Sequence, residues 1–431
     1  MKQERNYTIE FFRFMFAVNF VLLHVFILGP VRMGGTPSFA NGFDVIIPFM
    51  AFSGYFLMGH FKKQQAKGLT AQVPPSRQAW NYLKARLLSL LPLFITVMVA
   101  CIVANCMWFG IPAMGGVMYL INGVTEIFGL QIGGFYGNTV MGSVAEKGIS
   151  AVTTAGPLWF MSGIFLCGYA VYYLLARHDR HFTGWIAPVT IVLFYGSSYL
   201  TDNMPMWNKF LTAGEFAVAS GLLHMFCGLS IGVLLWVACD NLKGKEWSRG
   251  MKLLMAVAQA FCIAVVFFKS WVSTASPIGQ AFSIGWGASF FYTTVFSFLC
   301  LLNVDAVTRC PIFSSKIWRI PGRMAMYIYM IHYPVMTFVF LAMGCRPGTY
   351  EQNAGKVTPA YFITLAVSIV LGYLVMKFEE KVLMPWLKSK PWYTREQAKK
   401  RWRPYERRHG KKGVPHFGAE LWLYLQQAGL F

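Results

Sequence analysis

Between Glu10 and His24 the chain reads EFFRFMFAVNFVLLH, an apolar run interrupted by an acid, a guanidinium and an imidazole. A helix turns about 100° per residue, so the eleven residues from Arg13 to His24 return His24 to within about 20° of Arg13, about 16 Å farther along the axis. Glu10 lies one turn before Arg13, on nearly the same face. Each group has its own chemistry. A neutral imidazole takes a proton from a hydroxyl or is itself acylated. A guanidinium grips phosphate or carboxylate through paired N–H groups, and a carboxylate beside it orients it or offsets its buried charge. Ionisable groups in lipid are costly and face a bundle interior or a polar cavity. The bland alternative is a polar seam that glues helices together.

Other polar positions recur inside apolar runs. In FMAFSGYF, Gly54 suits close helix approach, while Ser53 either packs or lines a cavity. In YLKARLLSLLPLF, Lys84 and Arg86 precede a kinking Pro92 and either snorkel to an interface or clamp a phosphate. Trp159, in GPLWFMSGIF, is an interface anchor or a substrate platform. Tyr329 and His332, in MAMYIYMIHYPVM, are three apart and share a face, with Pro334 behind them. A second intramembrane histidine points to one polar cavity rather than two separate seams. Glu379 or Glu380, in KFEEKV, is placed to pair with a cation at the inner interface. His60, His224 and Glu215 read as structural. The nine cysteines show no CxxC or Cys/His metal spacing and lie mostly in apolar runs, so they read as buried small hydrophobes and no metal is expected.

The elements that must position these groups are membrane helices. Of 431 residues, 56% are hydrophobic and only 13% charged, far more apolar than a soluble chain of this length. Windows of about twenty residues give ten helices, near 11–29, 43–61, 87–110, 158–176, 184–201, 214–238, 251–270, 284–304, 324–344 and 360–380. The expected fold class is an all-α polytopic membrane protein of about ten spans. The net charge of +21 is a topology signal and not a nucleic-acid footprint. With a cytoplasmic N-terminus, only Arg32, Lys147, Lys209, Lys269, Arg346 and Lys356 fall in outside segments, which puts both termini in the cytoplasm. Lys2 and Arg5 precede a run that reads as a retained first span, not a cleaved signal.

Residues 1–386 then form a ten-helix domain, and 387–431 a basic, aromatic cytoplasmic tail. The tail's WYTREQAKKRWRPYERRHGKKG and AELWLYLQQAGLF suit an interfacial segment on an anionic inner leaflet, a partner-binding tail being the other reading. The Gly- and aromatic-rich segment 111–157 is expected to cap the outer mouth.

In order and spacing these features resemble the acyltransferase-3 family of integral membrane O-acyltransferases. Arg13 and His24 match its first-span arginine or lysine, ten residues, then histidine, with Glu10 as the acid three before. FMAFSGYF matches its SGF or SGY stretch, and Tyr327, Tyr329, His332 and Pro334 match a late tyrosine–histidine–proline element. Trp159 and Phe378–Glu379 also coincide with family positions, and the likeness covers residues 10–382. Two positions depart from it. Ser89 stands where many members have a second arginine, and Ile164 where many have a glutamate.

The resemblance implies transfer of an acyl group, usually acetyl, from cytoplasmic acyl-CoA to a hydroxyl of an extracytoplasmic carbohydrate or glycolipid. It implies the cytoplasmic membrane of a bacterium and modification of the cell envelope. On this reading His24 is the base or a transient acyl carrier, Arg13 and Arg86 hold the anionic end of CoA, and Glu10 orients Arg13. Ser53, Trp159, Tyr329, His332 and Glu379 are donor- or acceptor-binding candidates, His332 first among them. No cofactor is expected to be held permanently. A transporter of a sugar or lipid-linked intermediate is the rival, and matched Gly/Pro-interrupted halves are not seen. A membrane scaffold is the third reading, against which the intact Arg13–His24 pair argues.

Overall fold

The computed structural model describes residues 6–28, 31–33, 36–38, 42–68, 73–110, 159–201, 210–213, 216–271, 286–345 and 354–389. In lipid a backbone must satisfy its own polar groups, which a helix does within one segment, and the apolar runs accordingly become helices. In chain order these are α1 (Tyr7–Leu28), α2 (Ile46–Ala66), α3 (Pro75–Phe109), α4 (Trp159–His181) and α5 (Ala187–Thr201). Then come α6 (Ser220–Asn241), α7 (Arg249–Trp271), α8 (Trp286–Leu302), α9 (Arg319–Ala342), α10 (Ala354–Phe378) and the short α11 (Met384–Ser389). The fold is all-α with about ten main helices.

Six stretches among the described residues are long and apolar enough to cross a membrane: Pro75–Trp108, Phe160–Ser197, Gly221–Asn241, Arg249–Lys269, Lys316–Ala342 and Gly355–Trp386. Large apolar side chains such as Val192, Leu193, Leu253, Val257 and Phe261 point outward from the bundle. In water such a surface would be unstable; against lipid it is the expected exterior. The chain is a multi-pass membrane protein.

Where the helices differ from their expected windows, local chemistry gives the reason. α3 begins at Pro75, well before the apolar window near 87, because Pro75 occupies the first helical turn and the polar stretch after it is made of good helix formers. A 3₁₀ turn, Gly42–Val45, leads into α2. Non-helical dihedrals at His178 and a π-helical turn at Phe182–Ile186 separate α4 from α5. Two antiparallel ribbons depart from a purely helical chain: β1 (Val31–Met33) with β2 (Thr36–Ser38), and β3 (Phe210–Ala213) with β4 (Phe216–Ala219). The second ribbon uses residues expected in a helix from 214, so α6 starts at Ser220. The nine cysteines are free thiols, seven of them buried, as their apolar settings implied.

Two compact units divide the chain, Met1–Tyr373 and Leu374–Phe431. Within the first, α1 packs along α9, α2 along α6, and α3 against both α4 and α9. Small residues set the closest crossings. A Cβ on Gly54 or Gly232 would run into the backbone of the facing helix, at Leu229 and Ala51 respectively, so α2 and α6 meet backbone to backbone. Gly322 does the same for α1 and α9, where a Cβ would lie 2.7 Å from the Cα of Glu10. Within the second unit the described residues comprise the end of α10, a π-helical turn (Glu379–Leu383) whose Glu379 is buried, and α11. The segment 111–157, residue Glu215 and the tail from 390 lie outside the described residues.

Candidate active site

α1 carries the two ends of the site. One turn from its start, the Glu10 carboxylate approaches the Arg13 guanidinium at 3.6 Å, with 10% and 26% of the side chains exposed. Arg13 lines a cavity of about 230 Å³ shared by five helices. α2 contributes Phe49, Phe52, Ser53 and Phe56, α3 Arg86 and Leu90, α4 Met161, Ile164 and Phe165, and α9 Met326. Arg13 and Arg86 are the charged residues of this lining. Ile164 keeps one wall apolar where a glutamate would have placed a negative charge. Ser53 donates to the Phe49 carbonyl at 2.9 Å, a bond within its own helix. Ser89 likewise donates to the carbonyl of Arg86 at 2.8 Å.

Farther along α1, His24 meets His332 of α9. The ring centroids are 4.8 Å apart, and His24 Nδ1 lies 3.1 Å from His332 Nε2. Each Nδ1 also faces a backbone carbonyl, Phe20 O at 2.8 Å for His24 and Tyr329 O at 2.5 Å for His332. A carbonyl oxygen only accepts, so in the neutral rings both Nδ1 atoms carry the hydrogen. His332 Nε2 is then an acceptor that shares the N–H of His24. The unprotonated nitrogen of His24 is Nε2, which has no hydrogen bond among the described residues. His332 is wholly buried and His24 half-buried, so a second molecule reaches the pair through His24.

An aromatic layer separates cavity and histidines. Tyr329 stands 5.2 Å from Phe20, 5.5 Å from Phe160 and 6.5 Å from Phe49, and 5.8 Å from the His332 ring. Phe49 belongs both to this layer and to the cavity wall. The second intramembrane histidine meets the first, and the polar candidates lie at two levels of the bundle. Arg13, Arg86 and Ser53 gather in the cavity, while Tyr329, His332 and His24 gather beyond the layer, because phenylalanines fill the turns of α1 and α2 between the two polar levels. Trp159 begins α4, and its side chain lies outside the described residues. Glu379 belongs to the second unit.

A second buried polar cluster was missed from sequence. Asp44 and Lys269 form an ion pair at 2.9 Å with side-chain exposures of 0% and 8%. Lys269 donates to Ser289 at 2.8 Å, and the Tyr292 hydroxyl donates to Asp44. Lys269 sits in the last turn of α7 and reaches Ser289 of α8. Two end-of-helix polar residues give no periodic signal by themselves. Only their pairing marks them.

These features together give a membrane helix bundle with an arginine-lined cavity and, beyond an aromatic layer, a histidine pair whose His24 Nε2 carries no hydrogen. The acyltransferase-3 family model, described as an acyltransferase domain, matches residues 6–376, and the chain belongs to that family. It is a membrane acyltransferase. No curated protein and no solved structure matches it.

Proposed function

We propose that the protein transfers an acyl group, acetyl in the first instance, from cytoplasmic acyl-CoA to a hydroxyl of an extracytoplasmic carbohydrate or glycolipid. One observation carries this reading. A cavity whose charges are two guanidiniums lies one aromatic layer from a histidine pair with an open nitrogen, on the same helix. Phosphates of CoA suit guanidiniums in an otherwise apolar wall, Arg86 above all, since Glu10 already offsets part of the charge of Arg13. The Arg13-to-His24 rise of about 16 Å fits the reach of the pantetheine arm, with the rings of Phe20, Phe49 and Tyr329 parting to let it through. The charge distribution supports ten spans, with both termini and the arginine cavity facing the cytoplasm. The cytoplasmic membrane of a bacterium is the setting that fits.

In the direct route His24 Nε2 takes the proton of the acceptor hydroxyl as its oxygen attacks the thioester carbonyl. The carbon–sulfur bond breaks, and the CoA thiolate leaves with that proton from His24. His332 Nε2 accepts from His24 Nδ1–H throughout, which holds the ring and favours the imidazolium as it forms. In the two-step route Nε2 attacks the thioester carbonyl, the carbon–sulfur bond breaks and CoA leaves as the thiolate. The hydroxyl oxygen then attacks the acyl-imidazolium, the acyl–nitrogen bond breaks to return neutral His24, and the hydroxyl proton ends on the thiolate. Glu10 holds Arg13 in register with the cavity. Tyr329 packs the layer, and Ser53 offers its hydroxyl to the donor.

Mass spectrometry of surface glycans from cells with and without the protein tests the reaction. The expected result is an acyl mass on one glycan that depends on the protein and on His24. Identical glycans under both conditions would refute it. Rapid-quench labelling with acetyl-CoA separates the routes, since only the two-step route leaves an acetyl group on His24.

A further inference from the structure

We infer that Tyr82, seated on Tyr172, is a positioning residue for Arg86 and thereby sets how tightly the anionic end of the acyl donor is held. The inference rests on reading the arginine cavity as the donor site. The Arg86 guanidinium lies 4.6 Å from the centroid of the Tyr82 ring, one turn back on α3. Tyr82 is in turn stacked on Tyr172 of α4, centroid to centroid 4.7 Å with the planes 20° apart. His60 of α2 closes the group, its ring 5.3 Å from Tyr82 and its Nδ1 3.5 Å from the Tyr172 hydroxyl. Each of the three helices that supply these rings also lines the cavity. Tyr82 and Tyr172 are buried, whereas Arg86 is only half-buried.

The two cavity arginines are thus held by different means. Arg13 is oriented by a carboxylate, which cancels part of its charge. Among the described residues no carboxylate pairs with Arg86, and a ring face orients it instead. A ring quadrupole attracts a cation without neutralising it, and the Tyr82 hydroxyl, a neutral acceptor toward the same guanidinium, leaves its charge intact as well. Arg86 is therefore fixed before the ligand arrives yet keeps its full charge for a phosphate. A long side chain ordered in advance loses less freedom on binding. This offers a physical account of how one arginine can serve where Ser89 supplies no second one. Plain packing of α3 on α4 would use the same two tyrosines, and the two roles are separable by experiment.

The experiment is equilibrium binding of radiolabelled acetyl-CoA to the full-length protein in nanodiscs. Phenylalanine, then mono-, di- and trifluorophenylalanine, replaces Tyr82, a series that keeps the ring's shape while draining its negative face. Positioning through the ring predicts a Kd within about threefold of wild type for Tyr82→Phe and a stepwise rise to about tenfold across the series. In an Arg86→Ala background the same series should be flat. A flat series in the presence of Arg86, with Arg86→Ala itself weakening binding, would overturn the positioning role and leave the donor site standing. A Kd unmoved by Arg86→Ala would overturn the donor reading and this inference with it. Because the fluorinated rings preserve packing, loss of folding does not obscure the outcome.

Discussion

Two ion pairs in this bundle use the same chemistry for opposite ends. Lys269 and Asp44 meet at 2.9 Å, shut off from outside, with Ser289 and Tyr292 taking further bonds. Arg13 and Glu10 meet at 3.6 Å, and a quarter of the arginine stays open to a cavity. The first pair joins the head of α2 to α7 and α8, and its charges are consumed by each other. The second holds a guanidinium, with its five N–H groups, at the wall of a cavity. A buried charge that is fully enclosed is a fastener. On the proposed function, one beside a cavity is there to meet a ligand.

If that distinction holds, removing one partner of the enclosed pair has the largest effect on stability. Lys269→Met leaves Asp44 buried without its counter-ion, the Tyr292 hydroxyl being a neutral donor, and the expected loss is about 3–5 kcal/mol in denaturant unfolding of the protein in detergent. The double variant Lys269→Met with Asp44→Asn removes both charges and should recover most of it. A single variant as stable as wild type would put Lys269 among ordinary interfacial cations.

Next comes the α1–α9 crossing that brings His24 to His332. Gly322→Ala puts a methyl group against Glu10, at a cost of about 1–3 kcal/mol by overpacking. Because the same two helices carry the histidines, transfer should fall by more than the remaining folded fraction explains, which activity per folded molecule would reveal. Unchanged specific activity would show that the histidines tolerate a shift of α1.

Arg13→Gln belongs lower on the stability scale, at no more than about 1 kcal/mol, because its pair is partly exposed and loosely made. Its acetyl-CoA affinity should nevertheless drop about tenfold, the weight of one charge-assisted contact. Stability loss as large as for Lys269→Met would erase the contrast between the pairs. Smallest of all is Ser53→Ala. That hydroxyl already bonds within its own helix, so the change should cost less than about 1 kcal/mol and move the KM for the donor only a few-fold.

Much of this architecture was legible before any coordinates. Apolar windows near twenty residues mark a membrane helix because lipid demands it, and each of the ten windows overlaps a helix, the main departures being the early start of α3 in polar helix formers and the late start of α6 after a ribbon. Arg13 and His24 stood out because helical periodicity alone aligns them. What could not be read is contact between distant segments. His24 and His332 are 308 positions apart, and nothing in either run says that the two rings touch. Asp44 and Lys269 each sit at a helix end, where a hydropathy window counts them as flank. The Tyr82–Tyr172 stack joins two helices whose aromatic content looks like ordinary packing. Periodicity reports a face, and only the fold reports which faces meet.

On the proposed function, His24 Nε2 performs the chemistry while the arginine cavity holds the donor. The most direct test measures both properties in one variant. His24→Ala, at wild-type protein level in membranes, should bind acetyl-CoA with a Kd within about threefold of wild type, because His24 is not part of the cavity lining. Its transfer of radiolabelled acetyl to extracytoplasmic glycan should fall at least about a hundredfold, the scale expected for losing a general base. Transfer at the wild-type rate would contradict the account outright.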